Sequence, residues 1–158
     1  MVTEAAISRR HERALRAMGA IEPPNDVYGA MRWAYPLCFV LIAVESRVAT
    51  GWTGSLPSTV SISGAGAILF GVAKILKWWA MATLGTRWTF RVLVLPDTPL
   101  IRGGPYRYLR HPNYLAVVGE IAGAAAALRA PLTGVVSVLG FGALMRRRII
   151  VEEQGIPD

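Results

Sequence analysis

Long apolar stretches alternate with short charged segments along the 158 residues of the chain. A membrane-spanning helix needs about 20 predominantly apolar residues. The second stretch reaches this length easily, whereas the others reach it only by including flanking residues, so those spans are expected to be short or tilted. We therefore predict a single-domain (1–158), all-α integral membrane protein with about four transmembrane helices, the alternative being a buried soluble bundle. The four stretches cover residues 31–48, 59–84, 114–128 and 131–145.

The N-terminal arm, residues 1–27, carries a different pattern. Residues 4–20 predict an amphipathic helix in which Ala6, Leu15 and Met18 share an apolar stripe and arginines occupy the rest. Such a helix can lie on an anionic membrane surface. A solvated tail that frays is the alternative.

Two further local patterns predict how the apolar helices pack. The segment LRAPL between the third and fourth stretches is tight, which predicts an antiparallel helical hairpin. The segment GAGAILFG (64–71) departs from a dinucleotide-binding loop and follows no strand. Small residues in a membrane helix more often permit close packing of a neighbouring helix.

The charge pattern predicts a topology. The chain has 17 Lys and Arg against 10 Asp and Glu, a formal charge of +7. The basic residues form three blocks: the N-terminal arm, the loop between the second and third stretches, and the C-terminal tail. Cytoplasmic flanks are rich in Lys and Arg, so a multi-pass, four-span chain has all three blocks and both termini in the cytoplasm. Lys74 and Lys77 then lie near the inner end of the second span, where long side chains can snorkel.

The same alternation of cations with apolar stretches favours the bilayer as partner and argues against nucleic acid, whose binding needs a continuous basic face. His11 and His111 have no Cys or carboxylate at metal-ligand spacing, so we predict no metal site. The oligomeric state is left open by the sequence.

The loop over 85–113 concentrates the chemistry of the chain. Its segment GGPYRYLRHPNY (103–114) contains three tyrosines, two arginines and a histidine. Prolines stiffen the loop, and the glycine pair permits a close backbone approach. Loops of this length are often functional. The aromatic and basic RWTFR (87–91) is interpreted as an interfacial tryptophan anchor.

Ionisable residues near the apolar stretches extend this picture. Glu120 lies within the third stretch, where a carboxylate is expected to be functional or paired, with Lys74 or Lys77 as the candidate partner. Arg148 and Glu152 share one face of a helix that continues past the fourth stretch. They form either a surface ion pair or, if they face His111 and Tyr114, part of a pocket at the membrane surface.

Such a pocket would have a defined ligand preference. Tyrosine faces attract organic cations, and an arginine fork binds carboxylates. A pocket with both is suited to a zwitterionic sulfonium cofactor beside an acidic acceptor.

The motifs LIRGGPYRYLRHPNYL (100–115) and RRRIIVEE (146–153), separated by an apolar hairpin, resemble the isoprenylcysteine carboxyl methyltransferase family. The upstream LKWWAMATLGTRW (76–88) is also similar to that family, and the resemblance covers about residues 70–153. Members are integral membrane enzymes that use S-adenosylmethionine, and phospholipid N-methyltransferases are relatives.

The resemblance implies roles for individual residues. Arg148 matches the arginine near the acceptor, and Glu152 and Glu153 form an acidic pair beside it, so these three are the candidate catalytic residues. The implied contacts to S-adenosylmethionine are Leu100, Ile101, Tyr106, His111, Pro112, Asn113, Tyr114 and Glu152.

The function implied is methyl transfer from S-adenosylmethionine to a lipophilic small molecule or lipid, by O-methylation of a carboxylate or hydroxyl at the cytoplasmic membrane face. A carboxylate needs no base and would be positioned by Arg148. A phenol or enol would lose its proton to Glu152, Glu153 or His111. The alternatives are a phospholipid-type N-methyltransferase, an NADPH-dependent sterol-type reductase and a non-catalytic membrane scaffold.

Overall fold

The computed structural model describes residues 2–23, 27–49, 63–95, 98–99 and 101–154, without the side chains of residues 2, 153 and 154. These residues form five α-helices, so the all-α prediction is confirmed for the described part of the chain. The last helix continues nine residues past the fourth apolar stretch, because the mostly charged segment 146–154 is also helical. The helices are α1 Val2–Ala17, α2 Tyr28–Ala49, α3 Gly64–Leu84, α4 Pro112–Ala127 and α5 Pro131–Gln154.

Helices α3 and α4 pack antiparallel at very short range because glycines face the opposite backbone. A Cβ placed on Gly123 would lie 2.5 Å from the backbone nitrogen of Phe70. Gly66 packs in the same way against the backbone of Ala127 at the other end of the contact. The close packing predicted for the glycine-rich segment is therefore confirmed at Gly66.

Helices α4 and α5 form the predicted antiparallel hairpin. The turn passes through Arg129, which has a φ of 54°, and closes with a hydrogen bond from the Ala130 amide to the Ala125 carbonyl at 2.9 Å. Glu45 of α2 then caps the start of α5 by accepting the Thr133 amide at 2.7 Å. A carboxylate at this position satisfies free amides and favours the helix dipole.

The four helices α2 to α5 alternate in direction, so one end of the bundle gathers the start of α2, the end of α3, the start of α4 and the end of α5. The helix over Gly64–Arg87 is long and apolar enough to cross a membrane by length and composition. Large apolar side chains also cover the outer faces of α2, α3 and α5, and apolar surfaces of this extent mark contact with a membrane or a partner. Examples are Leu37, Val40, Ile68, Ile75, Val136 and Leu139.

The N-terminal helix α1 is docked on the loop that follows α3, and its inward face differs from the predicted stripe. Leu15 is buried, but Ala6 and Met18 are exposed, whereas Ser8 is fully buried. The Ser8 hydroxyl accepts the Phe90 amide at 2.8 Å. A buried loop backbone needs hydrogen-bond partners, so α1 turns polar side chains inward.

The docked helix also corrects the interpretation of RWTFR. Trp88 is 3% exposed, so it is not an interfacial anchor. The Nδ1 atom of His11 in α1 lies 2.8 Å from the Trp88 carbonyl oxygen. The Phe90 ring packs edge-on against the Trp88 ring, with 5.0 Å between the ring centroids. Trp88 is therefore held inside the protein by α1.

The loop contains two short 3₁₀-helical turns, Gly85–Arg87 and Gly104–Arg107. Gly104 has a φ of 52°, and a Cβ there would lie 3.1 Å from Trp79 Nε1. The close backbone approach predicted from the glycine pair therefore occurs against α3. This contact holds the second turn at the end of the bundle for which the sequence predicts a cytoplasmic location.

Candidate functional site

The start of α4 and the end of α5 meet at four polar side chains, which we call the outer cluster: His111, Tyr114, Arg148 and Glu152. The Tyr114 hydroxyl donates to Glu152 Oε1. Arg148 Nε lies 3.3 Å from the same oxygen, and His111 Nδ1 lies 3.8 Å from Glu152 Oε2. Because α4 and α5 are antiparallel, residues 38 positions apart share this end of the bundle.

The rings and charges of the outer cluster are stacked. The His111 and Tyr114 rings are 5.4 Å apart at 13°, and the Arg148 guanidinium lies 5.8 Å from the Tyr114 centroid. Arg148 is only 7% exposed. A buried guanidinium beside one carboxylate and two aromatic rings can bind an anionic oxygen, since it carries five donors.

The outer cluster opens into a cavity of about 1110 Å³. That volume slightly exceeds the roughly 300–1,000 Å³ of ordinary small-molecule pockets, which leaves room for two ligands. Two buried polar atoms in its wall, Asn113 Oδ1 and Trp88 Nε1, make no hydrogen bond to any group in the described residues. Such atoms are costly unless something else pairs with them.

Tyr106 lies in the second 3₁₀-helical turn on the same wall. Burial raises the pKa of Tyr106 to about 12, and the nearby Glu152 carboxylate adds to this effect. The phenol therefore stays protonated near neutral pH and can serve as a hydrogen-bond donor rather than as a base.

The structure brings together most of the residues singled out in the sequence. Pro112 is fully buried at the first turn of α4 and supports the wall rather than lining it. Leu100 and the Glu153 side chain lie outside the described residues. The predicted residues that line the cavity are Ile101, Tyr106, His111, Asn113, Tyr114, Arg148 and Glu152.

A second group of polar side chains lies deeper in the bundle, and we call it the inner cluster: Glu4, Tyr35, Lys74, Lys77 and Glu120. Glu120 is fully buried and pairs with Lys74 at 3.2 Å and with Lys77 at 3.6 Å. It also accepts a hydrogen bond from the Tyr35 hydroxyl. The predicted pairing of Glu120 is confirmed, and both lysines take part.

Lys77 departs from the prediction because it is 3% exposed and does not snorkel. Its amine lies 3.3 Å from Glu4 Oε1, a carboxylate supplied by the N-terminal arm. Two partners therefore replace the water that the amine gives up. Glu4, Tyr35 and Lys77 line the same cavity as the outer cluster.

Several cavity residues were not assigned to the site from the sequence, and Trp88, Glu4 and Tyr35 are three of them. Trp88 carried a signal, the aromatic and basic interleaving of RWTFR, but this was attributed to the membrane interface. Glu4 and Tyr35 carried none, since their partners are 73 and 85 positions away. Their role depends on how the helices are arranged.

The apolar outer faces and the long apolar helix indicate a helical membrane protein. Its candidate site is a cavity behind a loop and the N-terminal helix. Residues 66–157 match the isoprenylcysteine carboxyl methyltransferase (ICMT) family. The chain belongs to this family, which confirms the resemblance and indicates a methyltransferase-like membrane enzyme.

Two curated bacterial proteins are similar to the chain. The uncharacterized protein YpbQ of Bacillus subtilis strain 168 is 31% identical over 118 residues, covering 75% of this chain and 67% of YpbQ. An uncharacterized protein of Haemophilus influenzae strain Rd is 28% identical over 152 residues, covering 96% of this chain and 85% of that protein. No solved structure matches the chain.

Proposed function

We propose that this protein is an S-adenosylmethionine-dependent methyltransferase that methylates a carboxylate or hydroxyl oxygen of a lipophilic acceptor at the cytoplasmic membrane face. The observation that carries the proposal is the outer cluster: Arg148 and Glu152 of α5 contact His111 and Tyr114 beside the loop, on the wall of one cavity. All four residues lie within the family match.

The residues present fit the cofactor. S-adenosylmethionine carries a sulfonium, an amine, a carboxylate and an adenine amino group. Asn113 Oδ1 is a buried acceptor that finds no donor among the described residues, and an amino group of the ligand would supply one. The Glu152 carboxylate and the Tyr114 ring favour a cation nearby. Ile101, Tyr106 and His111 would complete the cofactor wall, with Leu100 and Pro112 as further candidates from the family pattern.

Bound S-adenosylmethionine supplies a methyl group that is already electrophilic. The protein then has to align the acceptor and exclude water, and such alignment accounts for much of the rate of a two-substrate reaction. Arg148 would hold an anionic acceptor oxygen. A carboxylate acceptor needs no base, whereas a hydroxyl acceptor would release its proton to Glu152 or His111, with Glu153 the third candidate.

The proposal includes a topology. We place α2 to α5 across the bilayer with both termini and the outer cluster on the cytoplasmic side. The water-soluble cofactor then reaches the loop from the cytoplasm, and the acceptor enters between the helices from the bilayer.

Calorimetry of the purified protein with S-adenosylhomocysteine, and separately with NADPH, tests the cofactor. We expect saturable binding of S-adenosylhomocysteine alone. Binding of NADPH instead would indicate a reductase, and binding of neither by folded protein would contradict the proposal.

Mass spectrometry tests the acceptor. Native lipid extract is incubated with the protein and isotopically labelled S-adenosylmethionine, and labelled species are sought. We expect a labelled ester or ether that is absent without protein. A labelled amine would instead indicate N-methylation.

A further inference from the structure

The inner cluster reaches the cavity wall through Glu4, Tyr35 and Lys77, and the proposed reaction does not use it. Lys77 and Glu120 are almost or completely buried at 3% and 0% exposure. Buried ion pairs contribute little net stability because desolvation offsets their attraction. Ionisable residues at membrane depth are costly and therefore point to a function.

The distance between the outer and inner clusters can be derived separately from α4 and from α5. On α4, Asn113 lines the outer part of the cavity, and Glu120 of the inner cluster follows seven residues later. On α5, Phe141 packs 5.7 Å from the Tyr35 ring, and Arg148 of the outer cluster follows seven residues later. Seven residues of α-helix rise about 10 Å, so both helices place the clusters roughly that far apart.

The wall between the clusters is apolar. Met31, Val117, Phe141 and Met145 line this stretch and are at most 9% exposed. The cavity therefore has an apolar middle section, with the outer cluster at one end and the inner cluster at the other.

We infer that the inner cluster binds a second polar group of the acceptor, about 10 Å from the oxygen held by Arg148. The proposal deepens the proposed function, because it assumes that Arg148 holds the acceptor. The acceptor class is then a lipophilic molecule with an apolar spacer and a hydrogen-bonding group beyond it.

The charges of the inner cluster indicate that this group is neutral. Lys74 and Lys77 balance Glu4 and Glu120, and the two lysines contact both acids between them. A charged substituent would enter a buried site with no counterion, which is strongly unfavourable. Lys77 has three donors, two carboxylate partners and the Tyr35 ring 5.3 Å from its amine. A hydroxyl or carbonyl oxygen can accept the donor that otherwise faces the ring.

Fatty acids of one length test the inference, with protein reconstituted in nanodiscs. The probes are decanoic acid and its 4-hydroxy, 7-hydroxy and 10-hydroxy derivatives, and their dissociation constants are compared. We expect the 10-hydroxy acid to bind about tenfold more tightly than the unsubstituted acid, the gain typical of a hydrogen bond to a charged group. The other two hydroxy acids should show no gain.

Tyr35→Phe and Lys77→Met should each remove the preference for the 10-hydroxy acid while the unsubstituted acid still binds. Tyr108→Phe is the matched control, because Tyr108 is 75% exposed and does not line the cavity. Because the readout is a ratio of two affinities within one variant, a general loss of stability does not imitate the result.

An equal affinity for all four acids in the wild type, a preference that survives both substitutions, or no binding of any acid would overturn the inference. Arg148→Ala separates it from the proposed function. If the unsubstituted acid binds equally well to Arg148→Ala, the acceptor role of Arg148 fails, while the 10-hydroxy preference and its loss in Tyr35→Phe remain measurable.

Discussion

Arg148 is the residue whose surroundings are most specific. It is buried, its Nε lies 3.3 Å from Glu152, and its guanidinium lies against the Tyr114 ring. An arginine retained in such a place gives up hydration, and this cost is offset only if its donors are used. Under the proposed function, an anionic acceptor oxygen would be a further partner of Arg148, beside Glu152 and Tyr114.

Arg148→Ala should therefore strongly reduce methyl transfer, by about 10- to 150-fold for a lost hydrogen bond to a charged group. Cofactor affinity should be largely retained. The measurements are single-turnover transfer of labelled methyl and calorimetry with S-adenosylhomocysteine. Arg147→Ala is the control, since Arg147 is the exposed neighbour on the same helix. Equal transfer rates in Arg148→Ala and wild type would remove the assigned role.

Tyr114 can act through its ring or through its hydroxyl, and two substitutions separate these. Tyr114→Ala should weaken S-adenosylmethionine binding by about 1–2 kcal/mol if the ring faces the sulfonium. It should weaken S-adenosylhomocysteine binding less, because that ligand lacks the positive charge. Tyr114→Phe retains the ring and loses the hydroxyl with its hydrogen bonds to Glu152 and Arg148.

Calorimetry with both ligands on both variants gives the answer. If Tyr114→Ala loses the same affinity for the charged and uncharged ligands, the ring has no contact with the cation. The hydroxyl would then be the group that matters, through the orientation of Glu152.

At the level of helices, the contact between α3 and α4 holds the inner cluster together. Gly123 packs against the Phe70 backbone, and the same two helices carry Lys77 and Glu120. Small residues allow membrane helices to approach closely. The ion pair therefore depends on a glycine one turn away.

Gly123→Ala should destabilise the protein by about 1–3 kcal/mol, since the new methyl group overpacks a backbone contact. Gly71→Ala is the matched control on α3, where an added Cβ meets nothing within 4 Å. Thermal unfolding in detergent measures both. An unchanged midpoint for Gly123→Ala would show that the two helices can separate without cost.

Glu22 connects the N-terminal arm to the loop that follows α3. Burial on its own would raise the pKa of the Glu22 carboxyl, but hydrogen bonds from Arg91 and Arg16 outweigh it and hold the pKa below the usual value. Arg91 Nη1 lies 2.6 Å from Glu22 Oε1. Because the folded pKa is the lower one, the stabilisation is present above the unfolded pKa and is lost as pH falls through the folded value.

The arm should accordingly loosen in acid. Hydrogen exchange of the α1 amides, corrected for the intrinsic effect of pH, should show less protection near pH 3 than near pH 7, because the loss begins near the ordinary carboxyl pKa of about 4.3 and continues below it. Glu22→Gln should have low protection at both pH values. A pH effect of equal size in Glu22→Gln would assign it to another group.

On the scale of the whole molecule, the direction of the helices agrees with the distribution of charge. The basic loop, the basic arm and the end of α5 all lie at the end of the bundle that carries the outer cluster. The apolar outer faces lie along α2, α3 and α5. This arrangement is the one expected if that end faces the cytoplasm.

Single cysteines in a Cys38→Ala background test the topology. Ala14→Cys and Tyr108→Cys should react with a membrane-impermeant maleimide only in inverted vesicles, and Arg129→Cys only in intact cells. All three wild-type residues are exposed. Labelling of Arg129→Cys and Tyr108→Cys from the same side would contradict the four-span topology.

Much of the architecture could be predicted because it is local. The apolar stretches located the helices, the LRAPL turn located the hairpin, and the clustered loop residues located one wall of the cavity. The pairing of Glu120 with a lysine was also predictable, since a lone carboxylate at that depth requires a cation.

The features that could not be predicted depend on contacts between segments far apart in the chain. The burial of Trp88 follows from the docking of α1, and Glu4 joins Lys77 only because that helix turns its polar face inward. Periodicity reports which face of a helix is apolar, but it does not report which partner a polar side chain meets. That pairing is set by the packing of whole helices, where the free energy of many contacts outweighs the preference of any one residue.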